Sequence, residues 1–296
     1  MKEVIYKFLD YILTEKMFSD HTEVNYEIDL FKFEDYLKMN NKNYLKLKYQ
    51  DISDYIIYLR KAGYEPSSIN RNISSLRSFY TFLLKENIVS SNPLDLIKTI
   101  KEPKKLPNYF KYEEYLNMLD TLKEETPLNI RNLLIIELLF ATGVRVSELV
   151  NIKLKDINTS ERQIKIIGKG NKERIVYYGS YASDALDKYL SDSRPLLLKN
   201  KNTDYLLINN NGGNLTDRGV RGIISEIIKK TGIKTNISPH SFRHSFATIM
   251  LNEGASIKSV QELLGHQSID TTSIYTHLSN NDVRRAYLNA HPRAKR

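Results

Sequence analysis

The sequence contains no cysteine, which excludes disulfides, thiolate zinc sites and a thiol nucleophile together. No apolar run is long enough to span a bilayer, and Met1-Lys2-Glu3 begins no signal peptide. A cytoplasmic protein with no membrane partner is therefore the expectation. Internal repeats and low-complexity tracts are also missing. Gly168-Lys169-Gly170 is no nucleotide-binding phosphate loop, since the longer glycine spacing and the Lys-Ser/Thr pair are lacking. No Asp or Glu falls between His240 and Arg243, and no carboxylate cluster accompanies the histidines, which argues against a metal-dependent nuclease.

What is present suits a soluble chain of two domains. Its 296 residues are 41% hydrophobic and 27% charged, enough for two sizeable cores. The net charge of +9 favours a polyanionic partner over a neutral one. That charge is unevenly spread. Through Lys105 there are 17 basic and 15 acidic residues, so seven of the nine excess charges fall on the remainder. A merely lysine-rich composition does not predict such a division.

Residues 1 to about 100 read as helices only. Ile5, Phe8, Leu9, Ile12 and Leu13 form one stripe at helical spacing. Asp20-His21-Thr22-Glu23 looks like a capping box opening a second helix, with Tyr26, Leu30, Phe33 and Leu37 on its apolar face. A third carries Ile52, Tyr55, Ile56 and Leu59 and stops at Gly63. A fourth begins near Ser67 and buries Ile69, Ile73, Leu76, Phe79 and Leu83. The polar face of this fourth helix holds Asn70, Arg71, Ser74, Ser75, Arg77 and Ser78, side chains suited equally to water or to phosphates and base edges. The following stretch, Lys98 to Asn108, has two prolines and four lysines and resists both helix and core. We expect domains at 1–100 and 109–296 with a linker at 101–108, either a plain hinge or a basic tether along DNA.

The second domain opens with helices from about Lys111 and from Ile130 to Phe140. Thr142-Gly143 breaks the latter, leaving Arg145 at the start of the next helix with Glu148 within reach three residues on. Gln163–Ile167 and Glu173–Tyr178 alternate like strands of a hairpin, with Lys169 at its tip. Further elements are expected as a helix at Ser180–Leu190, a short strand at Tyr205–Ile208, a helix at Thr216–Lys230 and a last helix at Asn281–Ala290. Between the latter two, His240 and Arg243 share a helical face, Leu263-Leu264-Gly265 ends a helix just before His266, and Tyr275 follows nine residues later. Cations and imidazoles gathered near one phenol suit attack on a phosphate. Any one of the 20 tyrosines taken singly would be a poor choice of nucleophile.

The spacing of the whole set is what distinguishes it. His240-x-x-Arg243, Leu263-Leu264-Gly265-His266 and Tyr275-Thr276-His277 closely resemble one motif of the tyrosine recombinases, and Ala141-Thr142-Gly143-Val144-Arg145-Val146-Ser147-Glu148-Leu149 resembles another. Gly168-Lys169-Gly170-Asn171-Lys172-Glu173-Arg174 is similar to that family's hairpin lysine motif, and His291-Pro292-Arg293-Ala294 to the ending of its Xer branch. Phe242 and the Tyr177-Tyr178 pair depart from the usual pattern without touching a proposed catalytic position.

The resemblance implies a mainly α protein, with an all-helical SAM-like core-binding domain and an α+β catalytic domain carrying a small antiparallel sheet. It implies site-specific DNA recombination through a covalent 3′-phosphotyrosyl intermediate and a Holliday junction. Tyr275 would be the nucleophile, with Arg145, Arg243 and His266 on the phosphate oxygens. Lys169 would be general acid or phosphate contact, and His240 general base. Asn70, Arg71, Ser74 and Arg77 would contact DNA, as the family-like placing of Thr22, Tyr26 and Asp29-Leu30 suggests. No cofactor or metal is implied. The partners would be duplex DNA with an inverted-repeat site, a homo- or hetero-tetramer assembled through the last helix, a second recombinase and a DNA translocase. Chromosome dimer resolution fits the length and ending best; integration of a mobile element, a type IB topoisomerase and a non-catalytic DNA-binding protein are the alternatives.

Overall fold

A computed structural model describes residues 1–14, 20–101, 109–168, 172–233, 237–265 and 280–294. Lys169, His266 and Tyr275, most of the expected linker, and the side chains of Asp20, His21 and Thr22 lie outside the described residues. The chain divides into two units, Met1–Lys104 and Lys105–Arg296.

Four helices build the first unit: α1 (Lys2–Thr14), α2 (Asp20–Met39), α3 (Tyr49–Lys61) and α4 (Pro66–Lys85). Each turns its apolar stripe inward. Ile5, Phe8, Leu9 and Ile12 of α1 meet Leu30, Phe33 and Leu37 of α2, Ile52, Tyr55 and Leu59 of α3, and Ile69, Ile73, Leu76, Phe79 and Leu83 of α4. Tyr26, Ile56 and Leu13 are only half-buried at the margin. Among the described residues of this unit two carboxylates are buried, Asp29 and Glu34, the latter paired with Lys38. Asp29 accepts from Arg71 Nη1 at 2.7 Å and from Ser75 Oγ at 2.9 Å, which satisfies one of its oxygens and ties α2 to α4.

The second unit is organised around α6 (Pro127–Thr142), whose residues Leu134 to Thr142 are all buried. Thr126 caps it by accepting from the Asn129 N–H at 3.2 Å, and Pro127 occupies the first turn, where no donor is needed. Gly143, at φ +60°, ends it in a left-handed conformation. Before α6 lies α5 (Tyr112–Asp120); after it come α7 (Val146–Val150) and an antiparallel sheet of β1 (Ile157–Asn158), β2 (Gln163–Ile167) and β3 (Glu173–Tyr177) in that order. Ile164 pairs with Val176 and Ile166 with Arg174, so Ile164 and Ile166 point to the core. The remaining helices are α8 (Ser180–Lys188), α9 (Arg194–Leu198), α10 (Asp217–Thr231), α11 (Pro239–Asn252), α12 (Ile257–Leu264) and α13 (Asn280–Ala290).

Two expectations need correction. The helix foreseen at Ser180–Leu190 continues through a wider turn at Tyr189–Ser193 into α9. The strand foreseen at Tyr205–Ile208 is instead a buried loop touching its neighbours through two isolated bridges, Lys153 to Tyr205 and Ile208 to Asn214. Side chains replace the ladder there. Arg194 donates to the carbonyls of Thr203, Tyr205 and Leu206, and the Tyr189 hydroxyl donates to Leu206 O and accepts from the Ile208 N–H.

The last helix packs against α11, α12 and β3 of its own chain, burying Val283, Tyr287 and Ala290. His291 and Arg293 follow it inward, and Arg293 pairs with the buried Glu137 of α6. The tail passes so close to Gly179 that a Cβ there would lie 1.8 Å from the Arg293 carbonyl oxygen; only glycine fits.

Candidate active site

Arg145, His240 and Arg243 line one open pocket, together with Val144, Val146, Ser147, Asp217, Arg221 and Pro239. Each arrives from a different constraint. Arg145 stands at the start of α7 because Gly143 turns the chain out of α6 two residues earlier. Its N–H donates to Glu148 Oε2 and its Nη1 to Glu148 Oε1, both at 2.8 Å, so the side chain is held at two points while remaining 41% exposed. The pairing expected from three-residue spacing is therefore present.

Arg243 is more deeply set, 9% exposed on the second turn of α11. Nη1 donates to Gly143 O at 2.8 Å and Nη2 to Leu264 O at 2.6 Å. The first acceptor lies in the break after α6, and the second is a carbonyl at the end of α12 that has no partner within its own helix. Burial, joined by repulsion from Arg145, lowers its pKa to about 10, and the nearby Glu148 opposes the shift. His240 sits exposed one turn before Arg243 on the same pocket wall. His244, one residue beyond, instead leans towards the Tyr109 ring at 6.1 Å.

Glu148 is almost wholly buried, yet its carboxyl lies below the usual carboxylate range. Burial pushes it up, and the hydrogen bonds from Arg174 and Arg145 outweigh that push. Arg174 was not singled out by its spacing. Its signal was a charged residue at an inward register position of a strand, opposite Ile166. Asp217 and Arg221, 3.7 Å apart on α10, are two further pocket residues that carried no sequence signal.

The hairpin meant to carry Lys169 is present, closed by the Gly168 N–H donating to Lys172 O at 2.8 Å. Helix α12 ends as foreseen, with Gly265 at φ +64° immediately before His266. In the first unit, the four α4 residues expected to contact DNA divide. Ser74 is exposed. Asn70 clamps the Ile100 backbone, donating to its carbonyl at 3.0 Å and accepting from its N–H at 2.8 Å. Arg77 donates to Ile97 O at 2.7 Å, and Arg71 is engaged with Asp29. Among the described residues, no group of three or more His, Asp or Glu could hold a metal ion.

Residues 108–282 match the model of the phage integrase family, and residues 5–87 match its N-terminal SAM-like domain. The chain belongs to the phage integrase family. Within it, the tyrosine recombinase XerC of Staphylococcus haemolyticus (strain JCSC1435) is 40% identical over all of this chain and 99% of its own length. XerC of Staphylococcus aureus (strain JH9) is 41% identical, with the same coverage of both chains. The crystal structure of XerH recombinase bound to difH substrate, in a pre-cleavage complex, is 26% identical with a TM-score of 0.68, covering 89% of this chain and 78% of that one. Likeness of this extent makes this family member a site-specific tyrosine recombinase of the Xer type.

Proposed function

We propose that this recombinase exchanges DNA strands at an inverted-repeat site and thereby resolves chromosome dimers. The observation that carries the chemistry is two arginines, Arg145 and Arg243, turned to one pocket beside His240 and each braced from behind by protein acceptors. Bracing of this kind is what a transition state with growing charge on two phosphate oxygens requires, and each such donor is worth about 10²–10³ in rate. On this reading, the Tyr275 hydroxyl attacks the scissile phosphorus, the bond to the 5′-oxygen breaks, and a 3′-phosphotyrosyl link and a 5′-hydroxyl result. His240 takes the tyrosine proton, Lys169 gives one to the departing 5′-oxygen, and His266 adds a donor to the phosphate. The guanidinium groups supply the charge neutralisation that metal ions supply in other phosphoryl transfers. The reverse attack by a 5′-hydroxyl from the partner duplex reseals the backbone without a nucleotide.

Duplex DNA is the partner supported by the basic second unit and by the DNA-bound relative. Assembly as a tetramer, a second recombinase and a translocase belong to the same reading. So do DNA contacts from α4, where Ser74 and Arg71 are the better placed because they are exposed, whereas Asn70 and Arg77 are half-buried and donate to the Ile100 and Ile97 carbonyls; Arg71 engages Asn25 and Asp29 through Nη1. The domain limits 1–100 and 109–296 and the linker between them complete it.

The test is a nicked suicide duplex carrying the site that the protein occupies in cells. Wild type should give an SDS-resistant adduct, and Tyr275→Phe should bind equally well and give none. An adduct from the phenylalanine variant would assign the nucleophile elsewhere. Occupancy of one site near the replication terminus supports dimer resolution, whereas occupancy only at the ends of a mobile element would replace it with integration.

A further inference from the structure

We propose that Arg174 is a positioning residue for strand cleavage. From β3 it clamps Glu148, so keeping the Arg145 guanidinium turned to the pocket, and it pins the last turn of α12, which leads to His266. The inference rests on the catalytic reading above and deepens it.

The geometry begins with the strand. Register places Arg174 opposite Ile166, while its neighbour Glu173 pairs outward with Lys165. Arg174 is thus a charged side chain on the inward course of the sheet, only 13% exposed. Such a residue persists only if its donors are satisfied. Nη1 donates to Glu148 Oε1 at 3.0 Å, Nη2 to Glu148 Oε2 at 2.8 Å, and Nε to Leu263 O at 3.0 Å. The planar fork therefore bridges both oxygens of one carboxylate and a helix-end carbonyl at the same time. Lysine, a single ammonium, cannot copy that arrangement.

Glu148 is shared symmetrically. Each of its oxygens accepts one bond from Arg145 and one from Arg174. Without Arg174 the carboxylate loses half its donors while remaining buried, and its grip on Arg145 loosens. At the other end, the closing carbonyls of α12 are divided between two arginines, Leu263 going to Arg174 and Leu264 to Arg243. Chain packing leaves little room for an alternative course. A Cβ on Gly265 would approach Arg174 Cδ to 3.0 Å. Arg174 consequently joins the hairpin strand, the Glu148 carboxylate and the end of α12. With its donors directed inward, it is not offered to DNA.

The test is single-turnover cleavage of the suicide duplex at saturating protein, with DNA affinity and thermal stability measured in parallel. Arg174→Lys should fold and bind DNA within about threefold of wild type. Its cleavage rate should fall about 10²-fold, the scale on which an ångström of misplacement acts. In a Glu148→Gln background the same change should cost at least about tenfold less, because the route through Glu148 is already cut and only the pin on α12 remains. Arg174→Gln should in addition acquire an acid limb. Removing the cation raises the Glu148 pKa, so activity falls as pH drops and Glu148 protonates; this limb should be missing in Glu148→Gln. A loss of affinity with an unchanged saturated rate would make Arg174 a DNA contact, and equal losses in both backgrounds would remove the coupling; either overturns the proposal. Absence of an adduct from wild type itself would instead overturn the catalytic reading and the proposal with it.

Discussion

Acid should weaken the second unit through one imidazole, and the size of the effect can be worked from the structure. His291 is buried, stacked on Tyr287 at 5.1 Å and flanked by Phe140 and Phe246 at 5.3 and 5.6 Å. Its Nδ1 accepts from the Arg293 N–H at 3.2 Å, so the proton resides on Nε2, which donates to Phe140 O at 3.2 Å. A second proton has no acceptor and would face the nearby Arg293 guanidinium, itself paired with Glu137. Burial accordingly lowers the His291 pKa from 6.5 to about 3, helped by Arg293 and opposed by the Phe140 bond. The unfolded chain takes up the proton that the folded chain refuses, so the stabilisation is intact above about pH 6.5 and declines as pH falls towards 3. At about 1.4 kcal/mol per pH unit, some ~2 kcal/mol is gone by pH 5.

Urea unfolding of wild type and His291→Gln at pH 7 and pH 5 isolates this contribution, since the carboxylates are common to both chains. Wild type should lose about 2 kcal/mol more than the variant over that interval. Equal losses, or a His291 ring resonance that titrates near pH 6.5 in the folded protein, would refute the reasoning.

Gly143→Ala should destabilise by about 2–5 kcal/mol, combining left-handed strain with overpacking. The new methyl would lie 2.8 Å from both Leu264 Cδ2 and Phe246 Cδ1. A shift under about 0.5 kcal/mol on urea unfolding would contradict it. Lys169→Ala should cleave the normal substrate about 10²–10⁴-fold slowly and recover on one whose bridging 5′-oxygen is sulfur, a leaving group that needs no proton. An equal defect on both substrates would leave Lys169 a phosphate contact.

The first unit was readable because each helix there buries one stripe, and about three to four residues per two turns announce it, as Ile5, Phe8, Leu9 and Ile12 do. Helix α6 was readable from its apolar run and the Thr142-Gly143 break, but it starts at Pro127, three residues before the Ile130 expected, under a Thr126 cap that the apolar pattern did not mark. The failures share a cause. The helix expected to end at Leu190 instead runs on past Arg194-Pro195 by widening one turn at Tyr189–Ser193. Leu206, Leu207 and Ile208 read as a strand, yet their backbone partners are side chains distant in sequence, notably Arg194 and Tyr189. At the site, motif spacing located Arg145, His240 and Arg243, which the fold brings to one pocket. Arg174 was invisible as a partner because its acceptors, Glu148 and Leu263, meet it only through tertiary structure.

Glu148 and the neighbouring pocket gather four guanidinium groups, on Arg145, Arg174, Arg221 and Arg243, against the two carboxylates of Glu148 and Asp217. Folding thus builds an ion cluster with an excess of positive charge, and the depressed pKa of Arg243 reflects burial first and repulsion from Arg145 second. On the proposed reading, the missing counterion is the scissile phosphate, so substrate completes the fold electrostatically as well as entering the site. Stability and binding are then linked quantities: every tenfold rise in free substrate concentration above the dissociation constant adds about 1.4 kcal/mol to the native state.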